Sequence, residues 1–301
     1  MFDIVAVNSS LADAPEQLGT KPKFWYRDGN RRMLFKEENR GTGEDWAEKL
    51  ACEFCRLLGL PHAHYELAHD EARNVPGVVS ENFVPAGAEL VLGNQILMAR
   101  DPAYPGTRRY AVSEHGIGFV SQAIGELSMP EPSLETPLPE GVSTPLGVFA
   151  GYILLDTWIA NQDRHHENWG AIRRGSSLAL APTFDHASSM ARNLPDDRRR
   201  VILTTRDTGQ QMPAFARRAK SAFYSDTNPP RKLSTMEAWK QFSSKVPRAR
   251  SVWLQQLGKI GEPEIRACLD KIPAHRMSSI CQDFTMKLLI ENRKRLIEGE
   301  D

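Results

Sequence analysis

The stretch Thr144–Ala160 (TPLGVFAGYILLDTWIA) constrains the fold of this 301-residue chain more than any other. It is apolar around nearly the whole helical circumference, so a helix here must be surrounded by other elements instead of resting on one face of a core. It is shorter than the ~20 residues a bilayer span requires and contains Asp156, so we expect a buried central helix and no membrane role. Directly after it, Asn161–Gly170 (NQDRHHENWG) crowds carboxamides, carboxylates, an arginine and two histidines together. A buried helix that ends in such a cluster delivers those side chains to one place.

The rest of the chain sorts around this helix. Its length corresponds to roughly two units of about 150 residues, and 41% hydrophobic residues suffice for a sizeable core. Lys23–Tyr26 and Arg31–Lys36 flank the turn signal Asp28-Gly29-Asn30, which predicts a β-hairpin. In Glu44–Leu58 the apolar residues Trp46, Ala47, Leu50, Ala51, Phe54, Leu57 and Leu58 recur at helical spacing, and Gly59 and Pro61 stop the helix. Val78–Val84 and Glu89–Met98 read as extended, Ile117–Leu127 as a helix, Leu178–Ala181 as a short buried strand, and Thr235–Glu300 as three or more helices. The expectation is an α+β protein of two lobes, a small β-rich one over residues 1–83 and a larger helical one over residues 84–301.

The chemistry concentrates in two segments. Thr183-Phe184-Asp185-His186 follows the apolar Leu178–Ala181, and Asp185 lies 17 residues after Asn168. Mg²⁺ takes oxygen ligands and usually only one or two from protein, so Asp185 and the Asn168 side-chain oxygen suit it. Asp163, five residues before Asn168, is then placed to accept a proton from an attacking hydroxyl. A metal clamp, a positioned base and cations on the phosphates are what phosphoryl transfer needs. The Asp-x-x-x-x-Asn interval matches the catalytic loop of kinases. The order of parts agrees: Lys36 on an early strand, Glu48 on the next helix, then the loop, then Asp185. Lys23 and Lys21 are rivals of Lys36, and Glu44 is a rival of Glu48.

The sequence resembles the HipA-like serine/threonine kinases. The match is Asn161-x-Asp163-Arg164-His165-x-x-Asn168, then Ala181-Pro182-Thr183-Phe184-Asp185, and Gly19-Thr20-Lys21-Pro22-Lys23-Phe24, which looks like the family's phosphate loop. The resemblance implies a two-lobed protein-kinase-like fold using ATP and Mg²⁺. It implies Asp163 as catalytic base, Asn168 and Asp185 as metal ligands, and Lys36 on the nucleotide phosphates, paired with Glu48. Gly19, Thr20, Lys21 and Lys23 would belong to the phosphate loop, and Ser80–Phe83, with Glu81, Asn82 and Phe83, to the adenine-binding hinge. His165 is expected to orient the catalytic loop or assist the developing charge, and Arg164 to pack structurally. Similar kinases phosphorylate Ser or Thr of proteins, and several are toxins of toxin–antitoxin pairs. Larger relatives carry an N-terminal subdomain, whereas about 16 residues precede the loop here, so that part is missing or supplied in trans. The partners implied are a protein substrate, and an antitoxin or a separate protein resembling that subdomain.

Other signals are weaker. A phosphatidylinositol-type lipid kinase or a small-molecule kinase shares much of the catalytic loop, and a non-catalytic kinase-like binding module is a further alternative. The Gly41-Thr42-Gly43 triplet lacks the Lys-Ser/Thr of a P-loop and reads as a flexible lead into the following helix. His165 and His166 lack enough neighbouring Cys or His for a tetrahedral zinc site, and Cys52-x-x-Cys55 reads as two structural thiols. Four cysteines make no disulfide scaffold, which favours the cytoplasm. Thirty-eight basic residues balance 38 acidic ones, so direct DNA binding is not expected. That balance is uneven along the chain: Ala187–Leu233 has eight Arg and two Lys against four Asp, a net of +6 beside the metal-ligand segment. It is either a substrate-binding surface or a solvated loop.

Overall fold

Gly29 adopts φ 58°, the left-handed conformation a two-residue hairpin turn needs, and the strands on either side pair with Phe24 opposite Phe35 and Asp28 opposite Arg31. The computed structural model describes residues 1–15, 22–38, 41–132 and 137–299. Strands β1 (Ile4–Val7), β2 (Ala14–Pro15), β3 (Lys23–Asp28), β4 (Arg31–Glu37), β5 (Glu66–Asp70) and β6 (Val75–Glu81) form a six-stranded sheet in the order β1-β5-β6-β4-β3-β2. Every pairing is antiparallel except β1 with β5. Phe24, Met33, Phe35, Ala68 and Val79 bury one face of this sheet.

Helix α1 (Glu44–Leu58) packs against β5 and β6. Its start requires glycine: Gly43 has φ 77°, and a Cβ there would lie 2.2 Å from the Trp46 indole nitrogen. Its end is the αL cap of Gly59, whose N–H donates to Arg56 C=O.

The larger lobe is built around the apolar helix. It holds β7 (Glu89–Leu92), α2 (Gly93–Arg100), α3 (Ile117–Gly125), α4 (Pro145–Trp158), β8 (Gly170–Arg174), β9 (Ser177–Leu180), α5 (Asp196–Thr204), α6 (Met212–Ala216), β10 (Lys220–Tyr224), β11 (Lys232–Ser234), α7 (Thr235–Ser244), α8 (Pro247–Gly258), α9 (Glu262–Leu269) and α10 (Ser279–Glu298). Every residue of α4 from Gly147 to Trp158 is buried, against α3, α7, α8 and α10. The Thr144 hydroxyl accepts from Gly147 N–H at 3.0 Å, with Pro145 in the first turn, and so starts the helix. Trp253 Nε1 donates to Gly147 C=O, Trp158 Nε1 to Leu289 C=O, and Asn292 Nδ2 to Trp158 C=O, so the surrounding helices satisfy the polar groups that accompany the burial. Among the described residues no helix is long and apolar enough to cross a membrane.

Two local expectations change. Glu89–Met98 is not one extended segment: it is β7 and then α2, because the chain turns at Gly93, where a Cβ would meet the Trp169 ring at 2.3 Å and His166 C=O at 2.6 Å. The helical part also carries two small sheets, β7-β8-β9 and β10-β11. The first of these holds the segment that follows Asn161–Trp169.

Candidate active site

The polar loop after α4 is held from inside. Asp156, the one charge in the apolar helix, accepts Arg164 Nε at 2.6 Å and Nη2 at 2.7 Å, and also Asn161 Nδ2 at 2.8 Å. Arg164 Nη1 reaches forward to Asn168 C=O at 3.0 Å. Arg164 and Asp156 are 2% and 4% exposed, so this bidentate pair is desolvated and geometrically fixed. Asn168 Nδ2 in turn donates to Asp163 C=O at 2.7 Å, which leaves its Oδ1 as the atom available to the cleft. The Asp163 carboxylate is partly exposed there and accepts from Ser188 Oγ at 3.4 Å. Beside it, Arg109 Nε donates to His165 Nε2 at 3.2 Å. Burial first, and then Arg109, push the His165 pKa down to about 3, so the ring is neutral near pH 7 and suits the orienting role, not the stabilisation of charge.

Asp185 enters from the other side. It has φ 61°, which turns its carboxylate into the cleft directly after β9 and the Thr183-Phe184 step. Its Oδ1 receives Lys36 Nζ at 3.2 Å, and the same ammonium donates to the Tyr65 hydroxyl at 3.1 Å. Burial lowers the Lys36 pKa, but Asp185, Tyr65 and Glu48 outweigh it and hold the ammonium well above its ordinary value. The expected Lys36–Glu48 ion pair is not formed among the described residues. Glu48 Oε1 instead accepts His186 N–H at 3.0 Å, Tyr65 takes the lysine, and Glu48 Oε2 is buried without a hydrogen-bond partner. Burial pushes the Glu48 carboxyl pKa up, with Lys36 opposing. Glu44 is occupied elsewhere, by Arg192 at 2.5 Å, and Arg192 also donates to Thr42 Oγ1 at 2.6 Å.

These groups line two adjoining depressions. One holds Lys36, Glu48, Asp163, Asp185, Ser188 and Arg192. The other, a cleft of about 500 Å³, runs from Asn168 and Asp185 past Phe184 to Leu34, Ser80, Glu81, Asn82 and Phe83. The Phe83 and Phe184 rings stack at 5.6 Å, closing its apolar end. Asn82 N–H is taken by Arg32 C=O at 2.8 Å, whereas Phe83 N–H has no hydrogen-bond acceptor among the described residues. The cleft has the size and lining of a small-molecule site: apolar walls with a few convergent polar groups.

Along 98% of its length the chain is similar to the proinflammatory kinase CtkA of Helicobacter pylori, of which it covers 96%, with a TM-score of 0.76 at 19% identity. The fold is kinase-like. It is also similar to HipA of Shewanella oneidensis MR-1, from a toxin–antitoxin complex with HipB and operator DNA, with a TM-score of 0.56 at 12% identity over 95% of this chain and 65% of that one. No family model and no curated protein matches the sequence.

Within this kinase-like fold, Lys36, Glu48, Asp163, Asn168 and Asp185 come together around one cleft, and Glu81, Asn82 and Phe83 line its far end. Lys23, opposite Lys36 on the neighbouring strand, lines both depressions. Gly19, Thr20 and Lys21 lie outside the described residues. Sequence reasoning passed over Tyr65, Arg109 and Arg192, single residues in stretches without a motif. Asp156 did leave a signal, as the lone charge in an apolar helix eight residues before an arginine. Glu38 was missed too: its carboxylate accepts the Gly41 and Gly43 amides at 2.7 Å each, which gives the glycine triplet a structural role at the start of α1.

Proposed function

We propose that the chain transfers the γ-phosphoryl group of ATP, with Mg²⁺, to a Ser or Thr hydroxyl of a protein substrate. The observation that carries this reading is the convergence of Asp163, Asn168, Asp185 and Lys36 on a cleft whose other end is lined by Phe83. The donor set fits the metal: Asn168 Oδ1 and the Asp185 carboxylate are hard oxygen ligands, and both residues line the cleft. When bound, Mg²⁺ supplies charge neutralisation on the phosphates. Asp163 accepts the proton of the attacking hydroxyl, and the Asn168 bond to its carbonyl fixes the base relative to that ligand. Lys36 supplies a fixed positive charge toward the phosphates, and the Phe83 N–H together with the apolar wall receives adenine. Glu48 and Tyr65 position Lys36, and His165 orients the loop. The phosphate loop of Gly19, Thr20, Lys21 and Lys23 completes the site, and the lobes meet at residues 83 and 84.

A protein substrate is what the resemblance of Asn161–Asn168 and Ala181–Asp185 to the HipA-like kinases implies. On the same ground an antitoxin-like protein is the partner to look for, and four free buried thiols suit the cytoplasm. The test uses radiolabelled ATP, Mg²⁺, cell lysate and phosphoinositide vesicles, with wild type beside Asp163→Ala. The expected result is label on Ser or Thr of protein, reduced by ~10²–10⁴-fold in Asp163→Ala, which still binds ATP. Label confined to lipid would overturn the protein-kinase reading, and no Mg²⁺-dependent transfer from wild type would overturn the enzyme.

A further inference from the structure

One turn beyond Glu48 on α1, in the cluster that also holds the cleft-lining Tyr65, the sulfur of Cys52 and one ring nitrogen each of His62 and His64 lie within 4.8 Å of one another. We propose that these three side chains form a binding site for a borderline-soft divalent cation of the Zn²⁺ class.

The donor chemistry is that of zinc: one thiolate and two imidazoles, with a fourth position open to water. The histidines are two residues apart on the segment leading into β5, and Cys52 faces them from the helix. His62 is already prepared as a ligand. Its Nδ1–H donates to Leu60 C=O at 2.7 Å, which fixes the tautomer and leaves the lone pair on Nε2. That Nε2 is buried and has no hydrogen-bond partner among the described residues. A metal-ligating histidine typically donates its other N–H to a carbonyl in this way, and a buried, unpaired ring nitrogen is otherwise a cost. Burial pushes the Cys52 thiol up to about 11, with the backbone hydrogen bond from Tyr65, the residue after His64, acting against it, so the thiol gives up its proton as the cation binds.

Two adjustments are needed. Bonds of about 2.0–2.3 Å place tetrahedral ligands roughly 3.5 Å apart, so the three atoms close by about an ångström. The Arg56 guanidinium, which now contacts both ring nitrogens of His64, Nε2 as well as Nδ1 at 3.1 Å, moves away. It is part-exposed and has Glu53 at 2.7 Å as an alternative partner. Cys55 belongs to the hydrophobic core and is not part of the set. The segment that carries His62 is bonded to the strand before Asp185, through Ala63 N–H to Thr183 C=O and Thr183 N–H to Pro61 C=O, each at 2.9 Å. A bound cation therefore rivets α1 to the segment that leads to Asp185.

Co²⁺ and Zn²⁺ are the probes, added to the reduced, metal-stripped full chain. We expect one Co²⁺ per chain with a sulfur-to-cobalt charge-transfer band and tetrahedral visible absorption, displaced by Zn²⁺, and a rise in Tm with Zn²⁺. Cys52→Ala and His62→Ala should each lose the band and at least tenfold in affinity, while Cys55→Ala keeps both. Arg56→Gln should bind at least as tightly as wild type. The proposal is overturned if the wild-type band is absent, if it survives in Cys52→Ala, if it is lost in Cys55→Ala, or if Arg56→Gln binds more weakly. Oxygen-only binding in the cleft gives no thiolate band, so it is distinguished from this site.

Discussion

Arg164→Met tests the idea that the Asn161–Asn168 loop is organised from beneath. Arg164 and Asp156 are almost fully buried and make two charge-assisted bonds, at 2.6 and 2.7 Å. Removing the arginine leaves the Asp156 carboxylate buried with Asn161 as its remaining side-chain partner. Breaking a buried pair on one side costs about 3–5 kcal/mol, mostly because the orphaned charge stays desolvated. For 301 residues that is a fall in Tm of roughly 5–8 °C, or about a fifth or more of a total stability of about 5–15 kcal/mol. The double variant Asp156→Leu/Arg164→Met removes both charges and should recover most of the loss, with a coupling of at least about 2 kcal/mol. Its phosphotransfer should stay low, because Asn168 C=O has still lost its 3.0 Å bond to Nη1 and the loop its anchor. Urea unfolding at pH 7.5, followed by tryptophan fluorescence and far-UV circular dichroism, measures the stabilities. If the single variant loses under 1 kcal/mol, or the double variant equals the sum of the singles, the pair is not what holds the loop.

Three further outcomes follow from individual contacts. Asp185→Asn should weaken Mg²⁺-dependent nucleotide binding in calorimetry, and unchanged binding would remove Asp185 from the metal site. Gly93→Ala should destabilise by about 1–3 kcal/mol, since the new Cβ overlaps the Trp169 ring and His166 C=O; a gain in stability, as in an open helix, would refute that packing. His115, fully buried, donates from Nδ1 to Ala222 C=O and accepts Trp169 Nε1 at Nε2, and burial pushes its pKa down to about 3. The unfolded chain takes up this proton near pH 6.5 and the folded chain does not. The resulting stability is therefore complete above pH 6.5 and is lost as the pH falls toward 3, at about 1.4 kcal/mol per pH unit. His115→Asn should flatten the slope of stability against pH over that window, and an unchanged slope would place the proton uptake elsewhere.

The parts legible in the sequence were those whose cause is local. The hairpin follows from Asp28-Gly29-Asn30, α1 from its apolar spacing and the two glycines that bound it, and α4 from a run with no polar face. The polar cluster Asn161–Asn168 was legible because its intervals are short and the helix before it fixes where the segment emerges. Long-range partners were not. Tyr65 reaches Lys36 from the segment just before β5, Arg109 reaches His165 across 56 residues, and neither has a spacing that signals it. Glu48 is buried in α1 and lines the cleft, but its Oε1 accepts the His186 amide, and a choice among carboxylates on a helix cannot foresee a backbone donor 138 residues away. The break of Glu89–Met98 into strand and helix likewise depends on Trp169 packing over Gly93, a contact between distant segments.

The same distinction decides how the +6 stretch Ala187–Leu233 should be read. Several of its arginines are structural. Arg192 holds Thr42 and Glu44 at the start of α1, Arg199 is buried on Asp196 and on the carbonyls of Ala191 and Arg192, and Arg231 lies across Glu237. The stretch is also not a loop, since it contains α5, α6 and β10. A segment's net charge therefore overstates the field it offers a substrate, because part of it is neutralised by carboxylates outside the segment. The Arg192 contacts point to a different use of that charge. They join the chain just after Asp185 to the beginning of the helix that carries Glu48, so the two acidic residues on either side of Lys36 are tied together through a cation that sequence alone had counted only as surface.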